Sequence, residues 1–116
     1  MSAKVTGIGG VMFRAKDPNA LSAWYKKHLG IDKIKWEQQA GATAFAPTDH
    51  GTDYFPKSQQ FMLNFRVDDL DGILKQLRTD KVKVAKEPEN YEGIGKFAWI
   101  EDLEGNSIEL WEPEDK

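Results

Sequence analysis

Few side chains in this sequence have both the type and the setting for chemistry. There is no cysteine, which removes thiolate catalysis, disulfides and cysteine-ligated metal. Ser22, Ser58 and Ser107 have no histidine placed by sequence context to act as their base. Gly7-Ile8-Gly9-Gly10 precedes a strand-like segment instead of following one and opening a helix. It is therefore no phosphate loop, and it suits a strand that starts close to another backbone. Of the two histidines, His28 falls on a helical apolar stripe, as a packing residue or a helix C-terminal one. His50 lies in Thr48-Asp49-His50-Gly51-Thr52-Asp53, where Asp49, His50 and Asp53 read first as a solvated turn and second as ligands of a stray cation. What remains is one carboxylate, Glu109, in a strand-like run that ends on Trp111. A carboxylate among apolar groups serves as a polar anchor or as a general base.

Composition narrows the classes. The 116 residues fit one domain with a modest core, and 40% hydrophobic with 30% charged residues is an ordinary globular balance. A net charge of −3 with scattered basic residues argues against a nucleic-acid surface. No apolar run is long enough for a bilayer, and the first residues lack a signal-peptide pattern, so no membrane partner and a cytoplasmic location are expected.

The elements that must position these residues follow from local signals. Asp17-Pro18 opens a helix with Leu21, Trp24, Tyr25, His28 and Leu29 on one stripe, and Gly30 ends it. Asp69 opens a second, with Leu70, Ile73, Leu74 and Leu77 on its buried stripe, ending near Asp80. Strands are expected at Ile8–Ala15, Ile31–Glu37 and Ala42–Ala46 around the first helix. Around the second they are expected at Phe61–Val67, Val82–Lys86, Lys96–Glu101 and Ser107–Glu112. Pro47 to Ser58 and Glu87 to Gly95 read as loops, the latter carrying Tyr91. An internal repeat underlies this order. Phe13-Arg14-Ala15-Lys16-Asp17 recurs as Phe65-Arg66-Val67-Asp68-Asp69, each copy closing a strand and capping a helix, and Ala42–Pro47 weakly echoes Ile108–Pro113. Duplication explains the echo better than chance does.

With Trp24-Tyr25-Lys26-Lys27-His28-Leu29-Gly30 and Asp102-Leu103-Glu104-Gly105-Asn106-Ser107-Ile108-Glu109-Leu110, these segments resemble the vicinal oxygen chelate superfamily. That group includes glyoxalases, bleomycin-resistance proteins and extradiol dioxygenases. The resemblance implies an α+β fold of two βαβββ modules, whose strands form a curved mixed sheet, a half-barrel with helices on the convex side and a ligand in the concave cleft. On this chain it implies a single domain over 1–116, with a first module at about 5–47, a linker at about 48–58 and a second module at about 59–113. It also implies a homodimer.

Strand alternation agrees with such a cleft. Val11, Phe13, Leu63, Phe65, Val67, Ile108 and Leu110 would face the helices, and Gly10, Met12, Arg14, Met62, Asn64, Arg66, Glu109 and Trp111 the cleft. The four metal-ligand positions that the resemblance implies fall on Gly10, Thr43, Met62 and Glu109. Only Glu109 suits a hard cation, so neither metal nor other cofactor is expected. A shifted site pairing Glu109 with His50 stays open.

The remaining lining, Met12, Trp36, Phe45, Met62, Asn64, Trp99 and Trp111, suits a planar or apolar small molecule or else completes a core or dimer contact, and Tyr54 lies on a loop that either forms a lid or packs against a neighbouring subunit. Trp99 sits where alternation allows either face. Arg14 and Arg66 either hold an anion or pair with Asp17 and Asp69. Three readings follow. The first is a glyoxalase/bleomycin-resistance-like binder of a small apolar or aromatic molecule, its usual metal site lost. The second is a lyase or isomerase of this superfamily with Glu109 as general base, with or without a divalent metal. The third is a fold used only for protein contacts.

Overall fold

Asp17 starts the first helix in the way its sequence setting dictates. Its carboxylate accepts from the Ala20 amide at 3.1 Å, and Pro18 takes the first helical position. In the computed structural model, which describes residues 3–114, this helix α1 spans Pro18–Leu29. Gly30 ends it with φ 73°, a left-handed conformation that costs glycine little. Next come strand β1 (Leu63–Arg66), helix α2 (Leu70–Thr79) and strands β2 (Val84–Tyr91), β3 (Gly95–Glu101) and β4 (Ser107–Pro113). Asp69 caps α2 through the Gly72 amide at 3.0 Å.

The four strands form one mixed sheet in the order β1-β4-β3-β2, with β1 parallel to β4 and the other pairs antiparallel. Both helices lie against one face. Leu21 and Tyr25 of α1 and Leu70, Leu74 and Leu77 of α2 pack on Ala98, Ile100, Ile108 and Leu110. Six of these leucines and isoleucines are almost wholly removed from water, each worth about 1.5–3 kcal/mol against exposure. The architecture is α+β, an open curved sheet with its helices on one side. No helix among the described residues is long and apolar enough to cross a membrane.

Two expectations about elements are corrected. The segment from Glu87 is not a loop: β2 continues through it to Tyr91, and only residues 91–95 turn, closed by the Ile94 amide on the Tyr91 carbonyl at 3.0 Å. Pro88 is tolerated because β2 is an edge strand, and the register shifts on either side of Lys86 absorb the irregularity. The second correction concerns the first half. Ile8–Ala15, Ile31–Glu37 and Ala42–Ala46 form no strand among the described residues, and Val11, Met12, Trp36 and Phe45 lie exposed. A strand exists only through a neighbour, and short segments hold no ladder by themselves. The first half is tied in chiefly through α1.

Residues 102–106 fasten that helix. Asp102 is buried and accepts from the Tyr25 hydroxyl at 2.7 Å, from the Asn106 amide side chain, and from the Glu104 and Asn106 backbone. Glu104 in the same turn accepts from the Lys16 and Asp17 amides, each at 2.9 Å. Burial, and then the bond to Asp102, push the Tyr25 phenol well above the ordinary tyrosine range.

Candidate functional site

The face of the sheet turned away from the helices carries two rows of side chains set by register. One runs Asn64, Glu109, Trp99, Lys86 across β1, β4, β3 and β2, and the other Arg66, Trp111, Phe97, Glu89. Because each row comes from directly paired residues, neighbours stand at contact distance. Trp111 and Phe97 lie with ring centroids 6.0 Å apart and planes 8° from parallel, and Phe97 and Trp99 follow at 6.4 Å and 20°. The three rings thus form a stacked, near-parallel row. The Trp111 indole is fixed by its N–H on the Ile94 carbonyl at 3.0 Å, and Lys86 holds its ammonium 4.3 Å from the Trp99 ring centre.

Glu109 sits beside this ladder, only 8% exposed. It is not on the bare apolar floor that alternation suggested. One carboxylate oxygen accepts from the Asn64 amide at 2.7 Å. The other accepts from the Trp99 indole N–H at 3.1 Å and from the Tyr54 hydroxyl. That hydroxyl also accepts from the Trp99 indole at 3.2 Å, and its ring stands edge-on to Trp99 at 82°. Partial burial, then the bond to Glu109, push the Tyr54 phenol up to about 12. Gln59 anchors the loop's end: its side chain accepts from the Ser107 amide at 2.7 Å and donates to the Ser107 carbonyl at 3.3 Å.

The structure brings Tyr54, Asn64, Trp99, Glu109 and Trp111 onto one face, with Met62 at its border, where Ser107 donates to the thioether at 3.7 Å. It does not bring in the first-half residues. Met12 is 89% and Phe45 84% exposed, and Trp36 packs edge-on to Phe65 on the helix side. Arg66 donates to the Gln39 carbonyl at 3.0 Å instead of pairing with Asp69, which caps α2. Phe97 and Lys86 were missed as site residues. Phe97 was legible in principle, since a turn at Gly105-Asn106 aligns it with Trp111; Lys86 was not, because irregular β2 register decides its place.

A divalent metal does not fit these residues. Glu109 already takes three donors, Met62 offers a soft thioether, and Gly10 and Thr43 add no strong ligand. Among the described residues no three histidine, aspartate or glutamate side chains converge, His50 included. Two surface hollows of about 490 and 470 Å³ lie elsewhere, one between α2 and β2 and one beside the β2–β3 turn. Charged side chains such as Arg78 and Glu87, or Lys96 and Glu112, dominate them, and no aromatic ring lines either. The aromatic face is the better chemical candidate.

Compared with known proteins, residues 7–110 match the family model described as Glyoxalase/Bleomycin resistance protein/Dioxygenase superfamily. No curated protein sequence matches the chain. Among solved structures, the chain is similar to TnmS3, an antibiotic binding protein from Streptomyces sp. CB03234, at 22% identity and TM-score 0.66, covering 97% of this chain and all of that one. It is similar to a superfamily member from Sphaerobacter thermophilus at 18% identity and TM-score 0.64, covering 93% and 98%. It is also similar to a lactoylglutathione lyase from Agrobacterium tumefaciens at 17% identity and TM-score 0.58, covering 92% and 96%. At such identities the likeness speaks for the fold.

Proposed function

Because the chain belongs to the Glyoxalase/Bleomycin resistance protein/Dioxygenase superfamily, we propose that it binds a planar aromatic small molecule on the concave face of its sheet, without a protein-bound metal. The observation that carries this is the ladder of Trp111, Phe97 and Trp99, three near-parallel rings of which Trp111 and Phe97 are partly exposed and Trp99 is buried at 6% exposure. Such a surface gains energy from any flat partner, whereas a metal-dependent reaction needs ligands that these positions lack. That TnmS3 is an antibiotic binding protein lends the reading support at the level of fold.

On this reading the chain is a single domain, with a first module at about 5–47, a linker at about 48–58 and a second module at about 59–113, working in the cytoplasm as a homodimer. Tryptophan fluorescence titrated with a panel of polycyclic aromatics is the test. Saturable quenching is expected, weakened about tenfold by Trp111→Ala. No saturable quenching by any member would sink the proposal. Dialysis against a chelator should leave binding unchanged.

A second reading has its own observation, the mostly buried Glu109 carboxylate beside the ladder. As a general base it would take a proton next to a carbonyl in a lyase or isomerase reaction. It predicts solvent deuterium uptake at that carbon, abolished by Glu109→Gln while binding of the carbonyl compound stays nearly unchanged.

A further inference from the structure

Among the described residues, Tyr54 is the aromatic group that reaches the ladder from outside the sheet. Its loop is closed largely upon itself: Thr52 donates to the Asp49 carbonyl at 2.9 Å, the Tyr54 amide to the Thr52 hydroxyl at 3.2 Å, and Lys57 to the Gly51 carbonyl at 3.2 Å. From this loop a single phenol extends to the sheet and makes three contacts there. Its hydroxyl donates to Glu109, the same oxygen accepts from the Trp99 indole, and its ring stands T-shaped to the Trp99 ring. The residue is 52% exposed, so it is seated on the cleft without being sealed into the core.

The sheet residues around that phenol form a complete receptor for an aromatic hydroxyl. Asn64 and Trp99 hold the carboxylate in position and leave it an acceptor site for one further O–H donor. The same Trp99 N–H, shared with the carboxylate, also donates to the hydroxyl oxygen, and Phe97 stacks beside the Trp99 ring. We propose that Tyr54 fills the place of the ligand's own hydroxyl group, and that the ligand is a planar phenol that displaces Tyr54 and donates to Glu109. This rests on the aromatic-binding reading and narrows it. A ligand without the hydroxyl would leave Glu109 buried and short of a donor, which is a strong ground for rejection. The loop side chain then sets specificity, keeping the carboxylate satisfied until a better-placed phenol arrives.

The experiment compares 2-naphthol with 2-methylnaphthalene on the full chain, reading the Trp99 indole N–H resonance by NMR. The wild-type protein is expected to bind 2-naphthol about tenfold or more tightly than the methyl analogue, and Glu109→Gln to reduce that preference. Tyr54→Ala should open the seat to a phenol too small to use the ladder. Here p-cresol, the tyrosine side chain itself, should shift the Trp99 signal saturably, about tenfold more tightly than in the wild type and far more tightly than toluene does. Equal binding of the two naphthalenes overturns the phenol proposal while leaving the aromatic-binding reading in place. Binding of neither removes both. Equal p-cresol affinity in wild type and Tyr54→Ala overturns the displacement of Tyr54.

Discussion

Two buried acids, both reached by tyrosine, do opposite kinds of work in this chain. Asp102 accepts from four donors inside the protein and faces α1, so it holds the fold. Tyr25→Phe removes one of those four and should cost about 1–2 kcal/mol in urea unfolding, with the remaining three limiting the loss. Glu109 faces the open side, and one of its donors comes from a half-exposed loop residue. All three tyrosines are raised above the ordinary range by burial or by a carboxylate acceptor, Tyr54 to about 12. The native state therefore keeps its phenols protonated where the unfolded chain would lose those protons. That contribution is full below pH about 10 and disappears as pH rises through about 12 for Tyr54. Tyrosinate absorbance should accordingly stay low near pH 10 in the folded protein and rise steeply on unfolding; ordinary titration of all three in the native state would contradict the geometry. That Glu109 and Trp111 share the face turned away from the helices was legible because alternation within one strand is a local property. The donors on Glu109 were not, since Tyr54 and Asn64 arrive from distant segments.

The helices were read from sequence almost to the residue, because capping aspartates, and in α1 a proline at the first position and a glycine at the end, act locally. Strands depend on partners, and the two strand errors follow from that. Pro88 looks like a breaker in sequence, yet an edge strand needs no hydrogen bond from it. The first-half segments have the right alternation but no ladder to join. What binds the first half to the sheet is the β3–β4 turn, through Glu104 on the amides that enter α1. Glu104→Ala should therefore cost about 1 kcal/mol and raise amide exchange at the start of α1. Leu74→Ala, at the fully packed contact between α2 and the sheet, should cost about 2–5 kcal/mol. The ratio of the two distinguishes a surface fastener from the core that it serves; equal losses would mean that the turn carries more of the fold than its contacts indicate.

At the scale of the whole molecule, the apolar surface is unevenly spread. Ile8, Val11, Met12, Phe13, Ile34, Trp36 and Phe45 are all exposed, and all lie in the first-half segments that alternate like strands. On the other half, β1 stands at the end of the sheet with its outer edge unpaired by any strand among the described residues. An open edge and strand-like segments without a ladder are complementary deficits, and a second copy of the chain offers both at once in a closed, two-fold arrangement. Sedimentation velocity at micromolar concentration should give a species of twice the 13.2 kDa chain mass. Ile34→Lys combined with Phe45→Glu should shift it to monomer while leaving the core helices folded by circular dichroism. A wild-type monomer across that range would mean that these residues meet something other than a second copy. A dimer would also bear on ligand binding, because Met12 and Phe45, remote from the ladder in one chain, would then have a route to the partner's cleft.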